Sequence, residues 1–196
     1  MSGDHAELAA AARVRRLEDQ VIAAGLTTDA ELDEILAARY RTGSPANGAR
    51  MVARAWSDPG FRDRLLADGN AAAAEAGFGG GDDGYEYRLK AVQNTAQRHN
   101  VIVCTLCSCY PTSLLGPSPS WYKSFAYRSR TVREPRAVLA EFGLELPDET
   151  EILVWDSSAE TRYLVVPARP ASSAGLDEDA LARLVTRNGM IGTAAL

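Results

Sequence analysis

Cys104, Cys107 and Cys109 are the only cysteines in the chain, and they fall at i, i+3 and i+5. An apolar run, Val101-Ile102-Val103, leads into them, and Tyr110-Pro111 leads out. Thiols this close do not serve as three separate apolar core residues. Their spacing points to metal or redox chemistry. Cys-x-x-Cys folds two sulfurs toward one point, and Cys-x-Cys adds a third within the same tight loop. The peptide nitrogens of Ser108 and Cys109 are then pinned beside the sulfurs. Around a strongly Lewis-acidic metal they become the nearest remaining donors, and a square-planar or tetragonal S/N set suits such a chelate better than a tetrahedral one. A structural zinc site wants four Cys or His ligands. The chain has two histidines, His5 and His99, and neither makes a Cys/His pair at zinc spacing. An iron–sulfur cluster normally wants a fourth cysteine. A disulfide or a thioredoxin-like Cys-x-x-Cys remains the plainer alternative, but neither needs the third cysteine.

The stretch Val103-Cys104-Thr105-Leu106-Cys107-Ser108-Cys109-Tyr110 resembles the metal-claw motif of the nitrile hydratase α subunit. The resemblance continues in order along the chain. It takes in Asn47-Gly48-Ala49-Arg50, Val52-Ala53-Arg54-Ala55-Trp56, Asn94-Thr95, His99-Asn100, residues 121–124, and Arg128 with Val132-Arg133-Glu134-Pro135-Arg136. Further on it takes in Leu139-Ala140-Glu141-Phe142-Gly143, residues 157–163 and Leu184-Val185-Thr186-Arg187. The claw is shared with the related thiocyanate hydrolases, whose metal-binding subunit is the other reading this motif allows.

The resemblance implies a ligand set. Cys104 would be a plain thiolate, Cys107 a sulfinate and Cys109 a sulfenate. The deprotonated backbone nitrogens of Ser108 and Cys109 would complete the equatorial plane, with one position open to water or substrate. Three anionic sulfurs and two amidates around a trivalent ion leave a formal charge of about −2, which suits ligand exchange. Oxygenated sulfurs call for cationic donors, which in the family come from a β-type partner subunit. Thr105 and Tyr110 match the family's cobalt members, whereas iron members carry Ser and Thr there, so cobalt(III), one per chain, is expected rather than iron(III). The implied activity is hydration of a nitrile to its amide, a hydro-lyase reaction that needs the β-type partner. The open metal position would polarise the nitrile or supply hydroxide, or the oxygen of Cys109 would attack the nitrile carbon. A cobalt-loading activator chaperone is implied as a second partner. A non-catalytic metal-binding or thiol-sensing module that merely keeps the claw is the non-enzyme alternative.

The chain departs from the family pattern in places. Thr112-Ser113 follow Tyr110-Pro111, where nitrile hydratases usually have Trp-Pro and thiocyanate hydrolases Arg-Pro. Losing an indole frees about 150–250 Å² of aromatic surface. Thr112 and Ser113 are therefore candidate substrate-pocket residues, for a bulky or heteroaromatic nitrile such as a cyano-pyrrolopyrimidine nucleoside. The absent arginine removes the reason to expect a small anion such as thiocyanate. The family's Gly-Pro-Gln-Gly has no counterpart in Gly79-Gly80-Gly81-Asp82-Asp83-Gly84, and Leu176 stands where Trp is usual.

Composition narrows the function classes. At 196 residues, 46% hydrophobic and 24% charged, the chain has the make-up of a globular protein. A net charge of −5 argues against a nucleic-acid surface. No apolar run approaches membrane-spanning length, no signal-peptide pattern opens the chain, and reactive thiols imply a cytoplasmic setting.

The elements expected to hold the cysteines follow from the pattern. The fold class is α+β: a helical arm over residues 1–44 for subunit contact, then a metal-binding catalytic domain over 45–196 with α/β/β/α layers. In the arm, Leu8, Val14, Leu17, Val21 and Ile22 form one stripe, and Gly25 stops the helix. Thr28 and Glu31 make a capping box for a second helix carrying Leu32, Ile35, Leu36 and Tyr40. Residues 42–45 read as a hinge. Helices are expected over 49–56 and 61–67, the second started by Asp58-Pro59, with residues 71–74 continuing helix until Gly77 ends it. Strands are expected at 85–92 and 101–103, flanking a polar loop with Asn94 and a hydrogen-bonded His99. Lys123, Arg128, Arg130, Arg133 and Arg136, interleaved with Trp121, Tyr122, Phe125 and Tyr127, read as a helix face with aromatics inward and arginines toward a partner or the cysteines. Pro135 and Gly143 bracket a helix. Residues 152–155 and 162–166 alternate as a hairpin. A last helix covers 177–186, and 190–194 close as a strand. The glycine run 79–81 reads as a plain turn.

Overall fold

The computed structural model describes residues 2–41, 43–78 and 87–196, and side-chain surroundings for all of these except 2–8, 10 and 38–41. The expected turn at 79–81, the first residues of the strand expected from 85, Thr42 of the hinge, and the side chains of His5, Leu8 and Tyr40 lie outside them. Helices α1 (Ser2–Ala23) and α2 (Asp29–Arg41) come first. The capping box forms as read: Glu31 N donates to Thr28 Oγ1 at 3.2 Å, and Thr28 N donates to Glu31 Oε2 at 2.9 Å. Val14 is 64% exposed, Leu17 60% and Ile35 63%, so these helices carry an apolar face that the chain itself does not cover.

Three helices follow: α3 (Pro45–Ser57), α4 (Pro59–Ala67) and α5 (Gly69–Glu75). Each starts on a side-chain cap, Ser44, Asp58 and Asp68 in turn, and α3 and α4 have Pro in the first turn. Met51, Val52, Ala55, Phe61 and Leu65 are buried in the core. The strands are β1 (Arg88–Gln93), β2 (Arg98–Val103), β3 (Glu151–Asp156) and β4 (Thr161–Val166). β1 pairs with β4 and β2 with β3, both in parallel. α4 and α5 lie against β1, and α3 also meets β4.

The expected hairpin between 152–155 and 162–166 does not form. The short connection after β3 looked like a turn, but Ser157 N donates to Val103 O and Arg88 N donates to Glu160 O, so it passes from one parallel pair to the other. β4 ends in a continuous buried run, Leu164-Val165-Val166, as suits a strand covered on both faces rather than one side of an exposed hairpin.

The chain between β2 and β3 holds α6 (Thr112–Leu115), α7 (Ser120–Lys123), α8 (Phe125–Arg130) and α9 (Pro135–Glu141). The single aromatic–basic helix face is thus divided among short helices. After β4 come α10 (Glu178–Leu184), capped by Asp177, and α11 (Arg187–Ile191). α11 lies against β4, and α9 lies against β3. Residues 190 and 191, expected in a strand, end α11 instead. Thr186 Oγ1 caps it by accepting from Gly189 N at 3.0 Å. Short apolar runs do not separate strand from helix, and here the cap decides. Gly192 has φ +90°, and a Cβ there would lie 2.0 Å from Asn100 O.

His99 sits inside β2 rather than in a polar loop, and is buried. Its Nε2 lies 2.7 Å from Gly192 O, and its Nδ1 lies 3.2 Å from Asn94 Nδ2. Asn94 Oδ1 accepts from Asn100 N at 2.8 Å, and Trp155 Nε1 donates to Asn100 Oδ1 at 2.8 Å. Asn100 Nδ2 also donates to Gln93 O at 2.8 Å, so this polar network ties β1, β2, β3 and the end of α11 together. A neutral ring, donating from Nε2 and accepting at Nδ1, satisfies both partners. Burial pushes the His99 pKa below 6.5, although the Gly192 bond opposes this. As pH falls below 6.5 the unfolded chain therefore takes up a proton that the folded chain resists, and stability declines. A His99→Leu variant should lose about 1–3 kcal/mol at pH 7 through its orphaned partners. It should also show a shallower acid decline. Urea titrations from pH 8 to pH 5 check this, and equal slopes in the two proteins would refute it.

Candidate metal centre

β2 ends at Val103, and the cysteines begin at the next residue. Cys104 is fully buried in the core, Cys109 is half-buried and Cys107 is exposed. Their sulfurs all lie within 4.8 Å of one another, an arrangement able to hold a metal ion. The Cys104–Cys107 separation is 3.5 Å and the Cys107–Cys109 separation 3.2 Å. Cys107 N donates to Cys104 Sγ at 3.2 Å.

Elements on both sides shape this loop. Tyr127 OH in α8 donates to Ile102 O at 2.7 Å, just before the cysteines, and Tyr122 OH in α7 donates to Cys109 O at 2.9 Å, at their end. Both tyrosines belong to an aromatic cluster. Tyr110 meets Tyr122 at 5.1 Å, and Trp121 meets Tyr127 at 5.0 Å and Phe142 at 4.7 Å, all edge to face. Asp156, the last residue of β3, accepts from Thr105 N at 2.9 Å and from Thr105 Oγ1 at 2.6 Å. Arg128 donates to the carbonyls of Cys104, Thr105 and Leu106.

The electrostatics fit a cation at this point. Burial opposes ionisation of Cys107. Hydrogen bonding from Cys109 and Cys104 and from the Ser108 and Cys109 backbone outweighs it, and the pKa falls below the ordinary thiol value. Cys109 goes the other way, pushed up to about 12 by burial and by its bond to Cys107. One thiolate is favoured and its neighbour suppressed, chiefly by burial and the bond between them, with the adjacent like charges adding to it. A metal compensates those charges and deprotonates its thiols. The donor set does not complete a zinc tetrahedron. Among the described residues no fourth Cys, His or carboxylate joins the trio, both His99 nitrogens have partners, and both Asp156 oxygens are taken by Thr105.

Ser108, expected to donate its backbone nitrogen, is exposed, and its N–H lies on the Cys107 sulfur side. Thr112 and Ser113 open α6 close behind the cysteines and are half-buried. Thr112 N and Oγ1 both turn back to Tyr110 O, at 2.9 and 3.3 Å. Ser113 O accepts from Asn47 Nδ2 at 2.9 Å, and Ser113 Oγ lies 3.1 Å from Tyr87 OH. The hinge reaches the same place: a Cβ on Gly43 would meet Thr112 O at 2.4 Å. Of the basic run, Arg128 turns to the cysteine loop. Arg130 pairs with Glu134 and Glu141, and Arg136 donates to carbonyls of residues 146–150. Asp156, Tyr122 and Tyr127 were not singled out from the sequence as supports of the cysteines. Only their places beside β-branched and aromatic residues marked them, which does not reveal what their polar atoms reach.

Comparison with known proteins agrees along nearly the whole chain. Residues 8–194 match the family described as nitrile hydratase, alpha chain. The cobalt-containing nitrile hydratase subunit alpha of Pseudonocardia thermophila is 49% identical over 184 residues, covering 92% of this chain and 88% of that one. The thiocyanate hydrolase subunit gamma of Thiobacillus thioparus is 47% identical over 160 residues, covering 76% and 65%. Among solved structures, a double mutant of the Fe-type nitrile hydratase from Comamonas testosteroni Ni1 superposes with a TM-score of 0.83 at 40% identity, covering 96% of this chain and 91% of that one. The α+β architecture, the cysteine trio closing β2 and this extended similarity converge, and the chain belongs to the nitrile hydratase alpha-chain family.

Proposed function

We propose that the chain is the metal-binding subunit of a cobalt nitrile hydratase that converts a bulky or heteroaromatic nitrile to its amide. The observation that carries this reading is the sulfur trio, gathered within 4.8 Å in a chain of this family. Cys104, Cys107 and Cys109, with the backbone nitrogens of Ser108 and Cys109, are the residues that would hold cobalt(III). When bound, the metal supplies a Lewis acid that activates a nitrile or a water. Relatives named as cobalt-containing support cobalt over iron, as do Thr105 and Tyr110.

Exposure fits the assignments of Cys104 and Cys107, and that of Cys109 rests on the family resemblance. Oxidation selects thiolate character and access. Cys107 has both, which suits a sulfinate. Cys104 is sealed in the core, which suits an unmodified thiolate. Cys109, half-buried between them, is the candidate to meet the nitrile carbon as a sulfenate.

A β-type partner is proposed because the chain's relatives are named as subunits and because α1 and α2 leave apolar side chains uncovered. Residues 1–44 are read as the arm that grips it, and 45–196 as the catalytic domain. Fully burying a large aliphatic side chain contributes about 1.5–3 kcal/mol. Deleting residues 1–41 should then weaken assembly by more than about 100-fold while 45–196 stay folded. Unfolding of the remainder with partner affinity intact would contradict the arm. An activator chaperone for cobalt loading and a cytoplasmic setting, where free thiols persist, complete the reading. No helix among the described residues is long and apolar enough to cross a membrane. The direct test is product analysis. Cobalt-loaded protein, co-produced with its partner, should turn benzonitrile into benzamide and leave thiocyanate unchanged. Turnover of thiocyanate alone would favour the thiocyanate hydrolase reading.

A further inference from the structure

We infer that Arg128 is a positioning residue of the cysteine centre, acting on Cys104 through the Leu106–Cys107 peptide. This deepens the proposed function and rests on it. Arg128 lies in α8 and is half-buried. Its Nε donates to Cys104 O at 3.2 Å, and its Nη2 donates to Thr105 O at 2.9 Å and to Leu106 O at 2.8 Å. Three successive carbonyls thus face one guanidinium. A helix would satisfy them along its axis, and a strand would alternate them. The cysteine loop does neither, so these acceptors need another donor. The planar fork of arginine presents several N–H groups at fixed angles, which the compact ammonium of lysine cannot reproduce.

The grip is felt on the far side of the peptide. The carbonyl of Leu106 and the N–H of Cys107 belong to one planar unit. Arg128 bonds to its oxygen, and the same unit's N–H donates to Cys104 Sγ at 3.2 Å. A carbonyl that accepts from a cation polarises its peptide and strengthens the N–H as a donor. An N–H on a thiolate draws charge from the sulfur and so reduces what the sulfur donates to a metal. Arg128 therefore sets both the closure of the loop and the donor strength of Cys104. Asp156 completes the hold by accepting from Thr105 N and Oγ1. No other arginine of the basic run duplicates the role. Arg130 is engaged by Glu134 and Glu141, and Arg133 donates to Ser129 O.

The test uses cobalt-loaded protein assembled with its partner, carrying Arg128→Met, Arg128→Lys or, as a control, Arg133→Met. The readouts are cobalt per chain, the position of the sulfur-to-cobalt charge-transfer band, and kcat and KM separately. Without the polarised peptide the Cys104 sulfur donates more strongly, so the band should move to longer wavelength in both Arg128 variants, further in Met than in Lys. kcat should fall about 10–100-fold in the Met variant, the range for a residue supporting metal ligands, with KM little changed. The Arg133 variant should match the unaltered protein. Arg128 variants with full cobalt and an unmoved band would overturn the inference. If the Met variant fails to assemble, the band of the Lys variant decides in the same way. Absence of cobalt from the unaltered protein would instead overturn the metal reading, and this inference with it.

Discussion

Cys104→Ser should abolish cobalt binding and, with it, nearly all nitrile hydration. A serine hydroxyl does not ionise where a thiol does, so the buried anchor of the trio disappears while its volume is nearly kept. The fold should survive. Burying a hydroxyl without a full set of partners costs about 1–3 kcal/mol, and Tyr122, Tyr127, Arg128 and Asp156 still hold the loop at other points. Enzymes speed their reactions by at least about a million-fold, and a site stripped of its metal forfeits most of that. Cys109→Ser should be nearly as damaging, because it removes both a proposed ligand and the candidate nucleophile. Metal analysis, a thermal melt and amide formation, measured together, separate loss of metal from loss of fold. Full cobalt occupancy in Cys104→Ser would contradict the ligand assignment.

Thr112→Trp should turn the substrate preference toward small nitriles. Thr112 opens α6 next to Pro111, half-buried and close behind Cys109. An indole there restores about 150–250 Å² of aromatic surface to the space read as the substrate pocket. A difference of fit in such a pocket is worth about 1–3 kcal/mol, or about 10–200-fold in kcat/KM. The ratio of kcat/KM for a fused heteroaromatic nitrile to that for acetonitrile should fall by that factor. A panel from acetonitrile through benzonitrile to a cyano-pyrrolopyrimidine nucleoside measures the change. An unchanged ratio, or a native preference for small nitriles, would remove Thr112 from the pocket.

Local signals in the sequence translated directly into structure. The Thr28–Glu31 box, the helix starts at Asp58 and Asp177 and the close spacing of the cysteines depend on residues a few positions apart, and each took its expected form. Pairing between distant segments was less legible. β3 and β4 looked like a hairpin because both alternate and follow one another closely, yet each finds its partner some fifty to seventy residues upstream, as the registers Arg98↔Glu151 and Arg88↔Thr161 show. Residues 190 and 191 are apolar enough for a strand, and the Thr186 cap made them helical. The supports of the cysteine loop were hidden for the same reason. Nothing near Asp156 in sequence says that its carboxylate closes on Thr105, and nothing near Arg128 says that it gathers three carbonyls. The residue types were visible, but the distances that give them a role exist only after folding.

The measurement that bears most directly on the central claim is metal and mass analysis of the active protein, purified together with its partner. The account predicts one cobalt per chain. In the peptide carrying residues 104–109, it predicts an unmodified Cys104, two oxygens on Cys107 and one labile oxygen on Cys109. Stoichiometric iron or zinc, or three unmodified thiols in fully active enzyme, would contradict it.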